Sequence, residues 1–163
     1  MDAQVLKAGG CLSINLYPVD KKHEVKVLKI HKEAVLPIKG TPRSAGFDIF
    51  SSRDYIVQAE CNILVQTGIA MEPPEGYYLQ IAPRSGMAYR NMISVMGGII
   101  DPDYTGEIKV ILYNNSQEYF CIKKGDRIAQ VIPISYCNSC EVIEVLKLND
   151  TVRGDTGFGS TGI

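Results

Sequence analysis

The chain has 163 residues, of which 45% are hydrophobic and 21% charged, and its formal net charge is −1. This size and composition predict one domain with an ordinary core, and the balanced charge does not favour electrostatic binding of nucleic acid. The longest apolar runs, residues 110–113 and 119–122, are far shorter than the ~20 residues of a membrane helix or the ~7–15 of a signal-peptide core. We therefore expect a cytoplasmic protein without membrane or direct nucleic-acid partners, and nuclear entry stays open.

Fifteen glycines and eight prolines are spread along the chain and argue against long helices. The five cysteines are odd in number and follow no secretory signal, so we expect reduced thiols. Cys137 and Cys140 have the spacing of a metal-binding pair, but a structural zinc needs four ligands and there is no second such pair. His23 and His31 could complete the set. Ordinary thiols on a strand are the favoured interpretation, and a redox or metal role stays open.

From residue 24 onward, short runs rich in Val, Ile, Tyr and Phe alternate with turn residues, which is typical of an all-β protein. Many short strands in one domain indicate a jelly-roll or barrel-like β-sandwich. The predicted strands are 25–30, 46–50, 55–57, 63–71, 77–82, 93–95, 107–114, 119–122, 127–136 and 141–147. The segment 87–91 lacks helix breakers and predicts one short helix, with Ser85 near its N-cap.

Three regions follow from this pattern. Residues 1–23 show no clear periodicity and are expected to be an N-terminal extension of unknown role, and residues 24–148 form the β domain. Residues 149–163 are rich in glycine and poor in large apolar groups, so they are expected to be a mobile C-terminal arm.

The arm superficially fits two nucleotide-binding patterns. A dinucleotide site needs a strand before its glycines and a helix after them, but one residue follows the pattern here. The phosphate-loop pattern fails because Ser160 stands where a lysine is required. A chemical capacity remains, since glycine N–H groups, hydroxyls and Arg153 can surround polyphosphate oxygens, and Phe158 can stack on a ring. The alternative is a terminus without a binding role.

Four internal segments also carry groups suited to chemistry. Residues 83–86 place Arg84 and a hydroxyl at the start of the predicted helix, where anions are favoured. Residues 97–107 predict a hairpin that holds Asp101 and Asp103 beside Tyr104. Residues 45–48 and 125–130 put polar groups within predicted strands. Taken singly, each segment fits an ordinary surface turn or strand edge equally well.

In their order and spacing, the five segments closely resemble the five motifs of the homotrimeric dUTP pyrophosphatase (dUTPase) family. The motifs are residues 45–48, 83–86, 98–107, 125–130 and 153–162, and the similarity extends over residues 25–163. The resemblance implies Mg²⁺-dependent hydrolysis of dUTP to dUMP and pyrophosphate by a homotrimer whose active sites are shared by three subunits. Such an enzyme lowers dUTP, supplies dUMP for thymidylate synthesis and limits uracil incorporation into DNA.

The resemblance also implies a role for each matching residue. Asp101 would hold and activate the attacking water, and Asp48 would hold water ligands of Mg²⁺ rather than the metal itself. Arg127 is expected to be structural and Asp103 a solvated turn carboxylate. The residues implied to contact uracil and deoxyribose are Val95, Gly98, Ile100, Tyr104 and Phe158. Those implied to bind the phosphates are Arg84, Ser85, Gly86, Gln130, Arg153, Gly157, Ser160 and Thr161.

Three alternatives remain at this point. A dCTP deaminase or bifunctional relative shares the trimeric barrel, but the Tyr104 hairpin and the complete arm favour a dUTPase. A nucleotide sensor that binds dUTP without turnover would have no need of Asp101. A purely structural trimer would have no need of Asp48, Arg84, Asp101 and the arm together.

Overall fold

The computed structural model describes residues 23–155 and, ahead of them, the backbone of two three-residue strands. These are β1 (Leu6–Ala8) and β2 (Cys11–Ser13), which pair antiparallel as a hairpin. The lack of periodicity in residues 1–23 did not predict this hairpin. Among the described strands, these two pair only with each other.

Within residues 23–155 the protein is built almost entirely from antiparallel strands and contains one short helix, which confirms the predicted all-β class. In chain order the elements are β3 (Lys26–Lys29), β4 (Ile38–Lys39), β5 (Phe47–Phe50), β6 (Tyr55–Val57), β7 (Asn62–Gln66), β8 (Ile69–Glu72), β9 (Tyr77–Ala82), α1 (Ser85–Asn91), β10 (Ile93–Met96), β11 (Ile99–Ile100), β12 (Lys109–Asn114), β13 (Phe120–Ile122) and β14 (Arg127–Ser135). In this part of the chain no helix is a candidate to cross a bilayer, since α1 has seven residues.

Apart from the β1-β2 pair, the described strands form two main sheets and two smaller pairs. The larger sheet has the order β11-β9-β14-β5-β4, and the smaller has the order β10-β12-β7. The remaining pairs are β3 with β8 and β6 with β13. The nine-residue β14 joins β9 to β5, because Gln130 lies opposite Ala82 on one side and Asp48 on the other. This register brings the ends of three strands together.

The core lies between the sheets. In β12, Val110 and Leu112 are buried whereas Lys109 and Ile111 face outward, as expected for a strand with one face in the core. Residues of both sheets contribute to a single cluster of buried side chains, and fully burying each large one stabilises the fold by about 1.5–3 kcal/mol. The fully buried members include Ile49, Leu79 and Val131 from the larger sheet and Val65, Ile93 and Leu112 from the smaller.

Two strand predictions were wrong. The predicted strand 63–71 is divided into β7 and β8 by a turn at Thr67 and Gly68, where Gly68 adopts a φ of +73°. The Thr67 hydroxyl donates to the carbonyl of Ile108 and holds this turn against the residue that precedes β12. The predicted strand 141–147 is not a strand, and its apolar side chains are exposed. A run rich in Val, Ile and Leu does not form a strand without a partner edge for its backbone.

Candidate active site

A carboxylate held between two arginines marks one end of the larger sheet. Asp48 lies on β5, Arg84 directly precedes α1, and Arg127 begins β14. The Nε of Arg84 donates to Oδ1 of Asp48 at 3.0 Å, and Nη1 of Arg127 donates to Oδ2 at 3.3 Å. A second bond joins Nη1 of Arg84 to the carbonyl of Arg127 at 3.2 Å. With one carboxylate between two guanidinium groups, this cluster retains a net positive charge that suits an anion.

The side chain of Gln130 belongs to the same end of the sheet. Its Nε2 donates to the carbonyl of Pro83 at 3.0 Å, directly before Arg84. Gly46 makes room for it, because a Cβ at that position would lie 2.6 Å from Oε1 of Gln130. The predicted polar positions of three separate motifs therefore meet here.

Helix α1 begins at this point. Arg84 occupies the N-cap with extended backbone angles and no side-chain capping bond, and its carbonyl accepts from the N–H groups of Met87 and Ala88. Ser85 and Gly86 form the first turn, where N–H groups lie outside the regular helical bonding pattern. An open cavity of about 400 Å³ lies beside the cluster. It is lined by Arg84, Met87, Phe120, Ile122 and residues 125–128.

The third motif carries the chain from the smaller sheet to the larger one. Val95 lies on β10 opposite Leu112, and Ile100 lies on β11 opposite Leu79. Between them, Gly97 and Gly98 adopt φ values of +65° and +102°. A Cβ on Gly98 would lie 2.6 Å from the carbonyl oxygen of Ile81, so this close approach of two backbones requires glycine. The carbonyl of Gly98 accepts from the N–H of Ile81 at 2.7 Å.

The loop after β11 presents Asp101 and Tyr104. Asp101 and Asp103 are both exposed, and the N–H of Tyr104 donates to the carbonyl of Asp101 at 3.1 Å. The Tyr104 hydroxyl donates to the carbonyl of Glu107 at 3.1 Å, so the ring lies across its own loop. Gly106 allows this, because a Cβ there would lie 2.6 Å from the Tyr104 hydroxyl oxygen.

Glu107 anchors this loop, a role that the sequence did not predict. Its Oε1 accepts from the buried backbone N–H of Gly68 at 2.8 Å, and Oε2 accepts from Nε2 of Gln66 at 3.3 Å. The partners lie about forty residues away in sequence. The one available signal was a carboxylate at the start of a segment that otherwise alternates toward the core.

Within one chain, the two halves of the candidate site lie apart. Gln130 is opposite Ala82 on β9, whereas Ile100 is opposite Leu79, about 10 Å back along the strand. Beyond these positions the motifs diverge, because Arg84 continues past Ala82 and Asp101 continues in the opposite direction. The structure thus groups Asp48, Arg84, Ser85, Gly86 and Gln130 at one end, and it carries Asp101 and Tyr104 away from that end. Val95, Gly98 and Ile100 precede Asp101 on β10, the glycine turn and β11, and Gly98 accepts from the N–H of Ile81, next to Ala82.

The last motif is described only in part. Arg153 is exposed in the segment that follows Leu148. The predicted positions Gly157, Phe158, Ser160 and Thr161 lie outside the described residues.

An antiparallel β-sandwich with these sheet orders belongs to the jelly-roll class. A family model described as dUTPase matches residues 32–162 of the sequence, and the chain belongs to the dUTPase family. A deoxyuridine 5'-triphosphate nucleotidohydrolase of Paramecium bursaria Chlorella virus 1 is 50% identical over 137 residues, which cover 84% of this chain and 96% of that protein. The Arabidopsis thaliana protein of the same name is 49% identical over 138 residues, covering 85% of this chain and 82% of that protein.

The solved structures support the fold. The dUTPase of Staphylococcus bacteriophage 80alpha with dUPNHPP matches this structure with a TM-score of 0.76 and 25% sequence identity. The match covers 86% of this chain and 99% of the phage chain. The predicted jelly-roll fold is therefore confirmed.

Proposed function

We propose that this protein hydrolyses dUTP to dUMP and pyrophosphate. The observation that carries this conclusion is its close similarity, over nearly the whole length of the viral relative, to proteins named for nucleotide hydrolysis of deoxyuridine triphosphate. The five motifs of the family are present in the sequence, and they include the aspartate to which we assign the attacking water. The activity would lower dUTP, supply dUMP and so limit uracil incorporation into DNA.

The charged end of the sheet is assigned to the triphosphate. Arg84 offers a planar guanidinium that matches phosphate oxygens, and Asp48 holds its Nε so that the other nitrogens are oriented. Ser85 and Gly86 add a hydroxyl and backbone N–H groups at the start of α1. Gln130, fixed through Pro83, would support the phosphates and their water shell.

The donor set here fits a magnesium ion that is held mainly by the triphosphate and by water. Among residues 23–155 there is no group of three or more His, Cys, Asp or Glu side chains that could hold a metal. Both oxygens of Asp48 already accept an arginine bond, yet each keeps a lone pair for water. Mg²⁺ retains several waters and accepts phosphate oxygens, so Asp48 would hold it through water. When bound, Mg²⁺ supplies neutralisation of the triphosphate charge.

Asp101 is assigned to the attacking water. The water attacks the α-phosphorus and gives up a proton to solvent, the bond between the α-phosphorus and the bridging oxygen breaks, and pyrophosphate leaves with that oxygen. Asp101 accepts a hydrogen bond from the water and orients it, and positioning of this kind contributes about 10²–10⁴-fold. Its neighbour Asp103 faces solvent in the same turn and is assigned no catalytic role.

Base and sugar selection is assigned to the segment that runs from β10 through β11 to Tyr104. Backbone groups from Val95 through Gly98 to Ile100 would pair with the uracil edge, since they are held on both sides by sheet bonds. A mismatched base leaves a buried donor or acceptor unpaired, at a cost of about 1–3 kcal/mol. Tyr104, held across its loop by the carbonyl of Glu107, would pack under deoxyribose and exclude a 2′-hydroxyl.

The functional unit is proposed to be a homotrimer. The two halves of the site diverge along β9, so a complete site needs Asp101 from one subunit and Arg84 from another. The segment that follows β14 also exposes large apolar side chains that a second copy of the chain would cover. They are Val142, Ile143, Val145, Leu146 and Leu148.

Residues 149–163 are proposed to be an arm that closes over a site of the trimer. Arg153, Gly157, Ser160 and Thr161 would contact the phosphates, and Phe158 would stack on uracil. Residues 149–155 are all exposed in the isolated chain, so the domain of residues 24–148 does not need them for its own core. Ordering such a segment costs about 1 kcal/mol or more per residue, which suits a lid that closes on ligand.

Product analysis tests the activity. The purified protein is incubated with Mg²⁺ and, in turn, dUTP, dCTP, dTTP and UTP. We expect dUMP and pyrophosphate from dUTP alone, and EDTA should abolish their release. Formation of dUTP or dUMP from dCTP would assign the protein to the deaminases instead, and binding of dUTP without turnover would indicate a sensor.

Subunit mixing tests the shared site. Asp101→Asn and Arg84→Ala are each expected to be inactive, but they lie in different halves of the site. An equal mixture of the two variants is unfolded and refolded so that trimers form at random. About a quarter of the sites should then combine an intact Asp101 from one subunit with an intact Arg84 from the next, and activity should return there. Each variant refolded alone is the control. Mixed trimers without activity would contradict a site shared between these two residues.

A further inference from the structure

Two cysteines flank a tight turn at the point where the chain leaves the larger sheet. Strand β14 ends at Ser135, and Cys137 and Cys140 stand on either side of the turn residues Asn138 and Ser139. Both cysteines are free and exposed. The active-site assignment above uses neither of them.

The turn brings the two cysteines within reach of each other. The first and fourth residues of a tight turn have Cα atoms less than about 7 Å apart, and a disulfide spans about 4.4–6.8 Å between Cα atoms. The other described cysteines lie elsewhere, since Cys11 begins β2, Cys61 precedes β7 and Cys121 lies within β13. Among the described cysteines, this pair alone has the spacing of a local disulfide.

The surroundings make the two thiols unequal. A hydrogen bond from the Cys140 thiol, assisted by the Ser139 hydroxyl, holds the pKa of the Cys137 thiol below its ordinary value. The Sγ of Cys137 lies 3.7 Å from Oγ of Ser139. The same thiol–thiol hydrogen bond raises the pKa of Cys140. Cys137 is thus the stronger candidate for a thiolate nucleophile, since the thiolate is the reactive form.

The first cysteine is fixed to the sheet and the second is not. The N–H of Tyr136 donates to the carbonyl of Gly76 at 3.1 Å, and its ring packs edge-on against Tyr78 at 6.1 Å. Cys137 follows this anchored residue directly. Cys140 begins the exposed segment that leads to the C-terminal arm. A bond between the two sulfurs would therefore fix the direction in which that segment leaves the domain.

We propose that Cys137 and Cys140 form a thiol–disulfide redox pair that is oxidised by peroxide. The Cys137 thiolate attacks one peroxide oxygen, the O–O bond breaks, and hydroxide leaves to take up a proton as water. The resulting sulfenic acid is attacked by the Cys140 sulfur, so the S–S bond forms and the S–O bond breaks. That oxygen and the Cys140 proton leave as water, and two electrons pass from the sulfurs to the peroxide.

Disulfide chemistry fits this pair better than metal binding. A tetrahedral zinc site needs four ligands, and no cluster of three or more metal-binding side chains is found in the described part of the chain. Two vicinal thiols of unequal pKa are, in contrast, sufficient for oxidation and resolution.

The test uses the full chain and a matched variant that retains only the pair. In that variant Cys11, Cys61 and Cys121 are each replaced by serine. After reduction, both proteins are treated with a small excess of hydrogen peroxide, quenched with an alkylating reagent and measured by intact mass and peptide mapping. We expect the matched variant to lose two hydrogens, about 2 Da, and to lose both alkylatable thiols. A dithiol reductant should restore them.

Single replacements identify the order of events. With Cys140→Ser, oxidation should stop at a sulfenic acid on Cys137 that a 1,3-diketone reagent captures. With Cys137→Ser, capture at Cys140 should be much slower at neutral pH. Equal capture in both variants would overturn the assignment of the nucleophile. Retention of both thiols in the matched variant, or disulfides only between chains, would overturn the pair itself. None of these measurements depends on turnover of dUTP.

Discussion

Replacement of Glu107 by alanine tests whether one carboxylate holds the loop that carries Asp101. The side chain of Glu107 accepts from the N–H of Gly68 at 2.8 Å and from the Gln66 amide at 3.3 Å. Gly68 is buried in the turn between β7 and β8 and its bond to Glu107 is part-buried, so its N–H loses its protein acceptor once the carboxylate is gone. The turn and the loop would lose their side-chain connection together.

The expected loss of stability follows from that buried donor. Leaving a buried N–H unsatisfied costs about 1–3 kcal/mol, and the Gln66 bond adds little because it is longer and partly exposed. For a chain of this size, about 2 kcal/mol lowers Tm by roughly 4–8 °C. The loss of activity should exceed the loss of folded protein at the assay temperature, because the loop also positions Asp101.

The matched control is Glu107→Gln. Its amide oxygen can still accept from Gly68, and the Gln66 amide can rotate to present its own oxygen to the new amide group. We expect this variant to lose about 1 kcal/mol, roughly half the effect of alanine. Thermal unfolding is measured for all three proteins at one protein concentration, since assembly shifts Tm. A Tm for Glu107→Ala within about 1 °C of the unmodified protein would refute the anchoring role.

The other predictions concern the charged cluster, the catalytic carboxylate, the backbone at Gly98 and the C-terminal arm. Asp48→Asn keeps the shape but removes the charge that orients Arg84, so kcat/KM for dUTP should fall by about tenfold or more, and an unchanged value would remove Asp48 from the site. Asp101→Asn should lower kcat by about 10²–10⁴-fold while Asp103→Asn changes it little, and equal losses would undo this distinction. Gly98→Ala should destabilise the fold by about 2 kcal/mol or more in denaturant titration, since its Cβ would collide with a backbone carbonyl at a positive φ. Deletion of residues 149–163 should leave a folded trimer by sedimentation but greatly reduce turnover, and an unchanged kcat would exclude a lid.

Local patterns predicted most of the strands and the helix because the runs of apolar residues and the helix breakers that mark them lie close together in the sequence. The alternation in β12 matches its burial, with Val110 and Leu112 in the core. The helix at residues 85–91 contains the predicted run 87–91, which lacks helix breakers. Which residues form the candidate site was predicted only through the resemblance to a family. Nothing in the spacing of Asp48 and Arg84 along the chain indicates that β9 and β5 both lie beside β14.

The failures arose where a distant partner decides the structure. Thr67 and Gly68 interrupt an apolar run because their turn bonds to Ile108 and Glu107, about forty residues away. No local pattern encodes those contacts. Conversely, residues 141–147 have the sequence of a strand but lie exposed in the isolated chain, because strand formation needs a second edge. This segment has residues that favour a strand, but within the isolated chain it has no strand with which to pair.

The exposed segment after β14 and the divided site both support the proposal that the chain associates with copies of itself. Six large apolar side chains between residues 142 and 152 are at least half exposed, and several are fully exposed. Burying six such groups against a second copy would contribute on the order of 10 kcal/mol before the cost of ordering the segment. In the homotrimer proposed above, association would bury this segment and would also complete the site, because Asp101 and Arg84 continue in opposite directions from their registers along β9 within one chain. On that proposal catalysis depends on assembly, and the turn at Cys137 and Cys140 lies where the exposed segment leaves the domain.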